Sequence, residues 1–115
     1  MTPADDASTL FVYGTLLDPG LRERLLGRQV AATPGRLPGY ERRRNRHHYV
    51  VRSSGAETPG VLLEGLEARD FEVLDRYEDV PRTYVRERVE VVDEGGTSRR
   101  CWLYLPTTQL ADTAD

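Results

Sequence analysis

The run Tyr84-Val-Arg-Glu-Arg-Val-Glu-Val-Val92 is followed by Asp93-Glu-Gly-Gly-Thr97 and then by Arg100-Cys-Trp-Leu-Tyr-Leu105. Two β-branched and aromatic segments separated by a glycine-rich connection read as a long strand, a hairpin loop and a return strand. Upstream, Val61-Leu-Leu63 is entered through Pro59-Gly60 and left through Gly65-Leu66, so it reads as a strand feeding a helix from about Glu67 to Tyr77. Tyr49-Val-Val51 is another strand, and Ser53-Ser-Gly55 reads as a turn. Between Gln29 and Tyr40, Pro34-Gly35 and Pro38-Gly39 break the chain into short extended pieces. Thr9-Leu-Phe-Val-Tyr13, bounded by Gly14, is a buried strand. Asp18 then caps a helix with Pro19 at its first position, Leu21, Leu25 and Leu26 as its apolar stripe and Gly27 as its stop. Strands that meet mostly through short turns point to an α+β domain whose sheet curls toward a small barrel. A doubly wound parallel sheet would need a crossover helix after most of its strands.

At 115 residues the chain fits one domain that buries roughly two-thirds of its unfolded surface. That domain is predicted over residues 9–106, with residues 1–8 and 107–115 as flexible ends, because neither end carries an apolar pattern. Apolar content of 38% with 30% charged residues is the composition of a globular chain. No run approaches the ~18 apolar residues of a membrane span, and Met1-Thr-Pro-Ala-Asp-Asp6 lacks a basic region followed by an apolar one. No membrane partner and a cytoplasmic location are therefore expected. Cys101 is the only cysteine, which excludes an internal disulfide and a cysteine metal cluster and fits a reducing compartment. All sixteen basic residues are arginines, so neither Schiff-base chemistry nor a P-loop lysine is available. A net charge of −3 argues against general attraction to nucleic acid.

On a helix Phe71, Leu74 and Glu78 share one face, so Leu74-Asp-Arg-Tyr-Glu78 aims a carboxylate at the core. Burial without a partner raises a carboxylate's pKa, which makes Glu78 a proton-transfer candidate. The other readings are a last helical turn facing solvent and a pair with one of the arginines. In Tyr13-Gly-Thr-Leu16 the missing Cβ of Gly14 opens the backbone, and successive amides of such a turn can hold a carboxylate. The alternative is a plain tight turn. Arg42-Arg-Arg-Asn-Arg46, the only basic cluster, reads as a solvated strand edge, and His47 and His48 on a strand would point to opposite faces and share no metal. Cys101, with no histidine near it in sequence, reads as a buried packing residue, and no metal site is expected.

Taken in order, Val12-Tyr-Gly-Thr-Leu16, Pro59-Gly60-Val61, Leu74-Asp-Arg-Tyr-Glu78 and Tyr84-Val-Arg86 resemble the γ-glutamylcyclotransferase-like superfamily, and more closely its γ-glutamylamine cyclotransferase-like branch. The similarity runs from about Leu10 to Leu105. It implies a small mixed β-barrel of about six strands with two main helices packed outside, no cofactor, and a small-molecule γ-glutamyl partner rather than nucleic acid. It implies that Tyr13, Gly14, Thr15 and Leu16 bind substrate through backbone amides, that Glu78 is the catalytic acid/base, and that Tyr84 lines the same cavity. The implied reaction cyclises a γ-glutamyl amide or γ-glutamylamine to 5-oxoproline and releases the amine. Because the substrate's own amine is the nucleophile, such a site needs no serine, cysteine or lysine. The alternative is a non-catalytic binder of a γ-glutamyl or carboxylate compound on the same scaffold. Longer members carry Y-G-S-N-L where this chain has Tyr13-Gly-Thr-Leu16, a departure that bears on ordinary γ-glutamyl-amino acids as substrates.

Overall fold

A computed structural model describes residues 4–44 and 47–107. The chain runs through β1 (Ala4–Val12), a 3₁₀ turn (Thr15–Leu17), α1 (Pro19–Leu26), β2 (Ala31–Arg44), β3 (His48–Glu64), α2 (Ala68–Tyr77), β4 (Tyr84–Asp93) and β5 (Ser98–Pro106). The strands close into a barrel in the order β1-β3-β2-β4-β5. Its neighbours pair antiparallel except β1 and β5, whose parallel pairing makes the barrel mixed. Both helices begin where the sequence places them. Asp18 accepts a bond from Gly20 N (2.9 Å) at the start of α1, and Asp70 accepts one from Glu67 N (2.7 Å) at the start of α2.

Alternation along the strands sorts apolar side chains into two layers. Phe11, Leu37, Val50, Leu62, Val91 and Leu103 fill the barrel interior with Cys101 among them. Their neighbours Leu10, Val12 and Leu63 point the other way, against Leu21 and Leu25 of α1 and Phe71 and Leu74 of α2. Gly60 marks the closest approach between strands, since a Cβ there would lie 2.3 Å from the Val12 carbonyl oxygen. That contact accounts for glycine in Pro59-Gly60-Val61.

Three expectations change. The barrel has five strands because Tyr49-Val-Val51 and Val61-Leu-Leu63 are parts of one strand, β3. Ser53-Ser-Gly55 does not reverse the chain. The β2–β3 register jumps from Pro38↔Glu57 to Tyr40↔Arg52, with Gly39 and Gly55 both at φ 82°, so the segment is a bulge that kinks the ribbon. β2 likewise runs through Pro34 and Pro38, because it pairs with β4 only at Gly35 and Arg36 and a missing donor costs little along the rest of that side. At the N-terminus β1 starts at Ala4 rather than Thr9, with Ala4 opposite Arg99 and Asp5 opposite Arg100. Polar contacts hold this part: Asp6 accepts from Ser8 N (3.0 Å) and from the Arg99 guanidinium (2.8 Å). Hydrophobic patterning cannot reveal such an anchor. Thr107 N bonds to Thr83 O (3.0 Å), and residues 108–115 of the expected tail lie outside the described residues. Among the described residues no helix is long and apolar enough to cross a membrane.

Candidate active site

The chain leaves β1 at Val12 and turns through Tyr13-Gly-Thr-Leu16 before entering α1. Every carbonyl of the turn is tied back into the protein. Tyr13 O accepts from Arg42 Nη1 (3.1 Å), Gly14 O from Leu17 N (3.0 Å) and Thr15 O from Asp18 N (3.2 Å). Leu16 O and Leu17 O both accept from Nη1 of Arg22, at 3.0 Å each. Arg22 is buried and forms no ion pair among the described residues. The amides of Gly14, Thr15 and Leu16, by contrast, donate to nothing among the described residues. A trans peptide sets N–H and C=O on opposite edges, so fixing the carbonyls presents the amides as a row of available donors. The turn lines a cavity of about 570 Å³. Gly14 is required here for a reason the sequence did not show: a Cβ would lie 2.8 Å from His48 Cβ, so the glycine makes room for a histidine as well as for a ligand.

Glu78 enters the same cavity from the end of α2. Its amide bonds to Leu74 O (2.9 Å), which keeps it on the face of Phe71 and Leu74 that the spacing predicted. The side chain is half-buried, and among the described residues its carboxylate forms no hydrogen bond and no ion pair. Neither a solvent-facing last turn nor an arginine partner describes it. Burial alone pushes its pKa up to about 7. Asp79 beside it is spent differently, accepting from Thr83 Oγ1 (2.7 Å) and Arg82 Nε (2.9 Å).

Tyrosines from the turn, β4 and β5 complete the wall. Tyr84 donates its hydroxyl to His48 O, Tyr13 to Tyr104 O (2.9 Å) and Tyr104 to Asp75 Oδ1 (2.7 Å). Burial raises all three phenol pKa values, so they remain neutral donors. Thr15 Oγ1 lies 3.2 Å from the Tyr77 hydroxyl, linking the turn to the end of α2. Tyr13, Gly14, Thr15, Leu16, Glu78 and Tyr84 therefore all line one cavity.

Several cavity features were invisible in the sequence. His47 precedes β3 rather than lying within it, and both histidines line the cavity instead of facing apart. His48 Nδ1 is buried without a hydrogen-bond partner, and burial and then the charges of Arg44 and Arg42 lower the ring's pKa. Arg42 reaches the turn, Arg43 pairs with Glu41 (3.1 Å), and Arg44 lines the cavity, so the basic cluster is divided among tasks. Asn45 and Arg46 lie outside the described residues. Arg22 carried no signal, being a charged neighbour of an apolar stripe. Cys101 sits in the barrel interior, where burial raises its thiol to about 12. Among the described residues no three His, Cys, Asp or Glu side chains gather as a metal site.

A closed mixed barrel thus gathers a half-buried carboxylate, without a partner among the described residues, and a row of amide donors around one cavity. Residues 10–114 match the family model described as γ-glutamyl cyclotransferase, AIG2-like, and the chain belongs to that family. A curated protein of Methanocaldococcus jannaschii named "Gamma-glutamylcyclotransferase and putative RNase" is 26% identical over 99 residues, covering 84% of this chain and 45% of that protein. The chain thus spans a little under half the length of this curated relative. A solution structure from Arabidopsis thaliana shares the fold at a TM-score of 0.81 and 26% identity, covering 94% of this chain and 74% of that one. An AIG2-like protein from Mus musculus shares it at 0.63 and 22% identity, covering 90% and 79%.

Proposed function

We propose that this chain cyclises a γ-glutamyl amide, with γ-glutamylamines included, to 5-oxoproline and releases the amine, with Glu78 moving the protons. The α-carboxylate of the substrate rests on the amides of Gly14, Thr15 and Leu16. Glu78 takes a proton from the α-ammonium, the freed nitrogen attacks the γ-carbonyl carbon, and the bond from that carbon to the departing nitrogen breaks. The proton held by Glu78 passes to the leaving nitrogen, the ring nitrogen gives up its second proton to solvent as the lactam forms, and Glu78 ends as it began. Ring closure is intramolecular, and positioning does much of the work. Tyr13 and Tyr84 keep the γ-glutamyl chain folded against the wall.

The observation that carries this reading is an unpaired, half-buried Glu78 with a pKa of about 7 in the cavity that holds the free amides. A shuttle works best when its pKa lies near the working pH, because both protonation states are then accessible. A panel of γ-glutamyl-amino acids and γ-glutamylamines, scored for 5-oxoproline, tests it. Release from at least one amide is the expected result. Binding without release from any of them would instead identify a binder on the same scaffold.

A further inference from the structure

Two motif residues have no part in the proposed reaction, yet they meet in space. Asp75 lies in Leu74-Asp-Arg-Tyr-Glu78 and Arg86 in Tyr84-Val-Arg86. The Arg86 guanidinium grips the Asp75 carboxylate with both prongs, Nε to Oδ1 at 2.9 Å and Nη2 to Oδ2 at 3.1 Å. Tyr104 donates its hydroxyl to Oδ1 at 2.7 Å. One carboxylate thereby joins α2 to β4 and β5. The guanidinium carbon also lies 4.4 Å from the Phe71 ring centroid and 4.2 Å from that of Trp102, so stacking fixes the plane of the fork.

This matters because among the described residues the Glu78 carboxylate has no partner of its own. Its place in the cavity follows from the place of α2. Asp75 precedes it by one helical turn, about 4.5 Å along the axis. Phe71 and Leu74 press the helix against the barrel but resist sliding weakly, since apolar contact is non-directional. A bidentate ion pair has direction.

We infer that Asp75, Arg86 and Tyr104 form a clamp that positions Glu78 for proton transfer. The inference rests on the proposed function for the role of Glu78. Removing the Asp75 charge takes away the directional bond to Arg86 and loosens α2. A looser α2 lets water reach Glu78, and hydration favours its ionised form. Among the described residues the other titratable groups lining the cavity are Tyr13, Arg44, His47, His48, Tyr77, Asp79 with its partner Arg82, Tyr84 and Tyr104, and Asp75→Asn alters none of them covalently.

The test is Asp75→Asn beside the parent, with Arg86→Lys as the conservative variant and Tyr104→Phe as a milder one that removes a single hydrogen bond. The Glu78 carboxyl is titrated by carbon NMR, and kcat and KM are measured on a γ-glutamyl amide that the parent cyclises. Asp75→Asn is expected to lower the Glu78 titration midpoint by about half a unit or more and kcat by about tenfold, with KM within about threefold. Arg86→Lys should retain more of kcat than Asp75→Asn does. If Asp75→Asn does not fold, Tyr104→Phe should show the same direction at about threefold in kcat. An unmoved Glu78 titration in folded Asp75→Asn, or in Tyr104→Phe where Asp75→Asn does not fold, overturns the inference, since a merely structural pair would lower the melting temperature alone. The titration needs no turnover, so a parent that cyclises nothing defeats the proposed function by a separate result.

Discussion

On the proposed function Glu78 carries the chemistry, and its burial also weighs on the fold. Its folded pKa of about 7 lies above the unfolded value near 4.3, so the native state holds a proton that the unfolded state has already lost. Stability contributed by that proton is present below about pH 4.3 and disappears as pH rises to about 7, a loss on the order of 3 kcal/mol. Glu78→Gln keeps the shape and removes the charge. It should therefore raise the melting temperature above the parent's at pH 8 and leave it little changed at pH 4. A lower melting temperature at pH 8 would mean that the carboxylate is a structural partner instead. The face that Glu78 shares with Phe71 and Leu74 was legible from spacing, because helical periodicity is local. That its carboxylate would meet no arginine among the described residues was not legible.

At the scale of elements, α2 is fixed at both ends by ion pairs that sequence patterning does not display. Near its end stands the Asp75 clamp. At its start Arg28 grips the buried Asp70 at 2.6 Å on each oxygen, and Asp70 also caps the helix through Glu67 N. The Arg28 hydrogen bonds hold the Asp70 pKa below its ordinary value. A folded pKa below the unfolded one contributes stability above about pH 4, and that contribution is lost as pH falls through the folded value. Asp70→Asn should thus cost about 1–3 kcal/mol at neutral pH by urea unfolding, with the gap to the parent closing under strong acid. An undiminished gap at acid pH would assign the loss to something other than charge. The helices are legible in the sequence because caps and stop signals lie in their own residues. β3 reads as two strands because Ser53-Ser-Gly55 looks alike whether a glycine reverses a chain or kinks a strand. Only the register with β2 decides, and register is long-range.

For the whole molecule, the barrel brings a turn after β1, the entry to β3, the end of α2 and the start of β4 around one cavity. Tyr13 to Leu16, Glu78 and Tyr84 could be named beforehand because each lies in a short pattern. Arg42, Asp75 and Tyr104 act through partners brought together by closure, while Arg22 reaches the Leu16 and Leu17 carbonyls within its own segment by a side-chain contact that apolar patterning does not display. Closure itself depends on Gly60, where an added Cβ would meet the Val12 carbonyl oxygen at 2.3 Å, a backbone atom that cannot rotate aside. Gly60→Ala should leave most of the protein unfolded or aggregated, as judged by circular dichroism and size-exclusion chromatography. A well-folded variant would contradict the tight β1–β3 approach.

The central claim is that an unpaired glutamate moves the protons, and turnover by Glu78→Gln tests it most directly. With a γ-glutamyl amide that the parent cyclises, 5-oxoproline release per folded molecule should fall by roughly 10² or more while ligand affinity largely survives. Release at the parent rate from a folded Glu78→Gln protein would contradict the account.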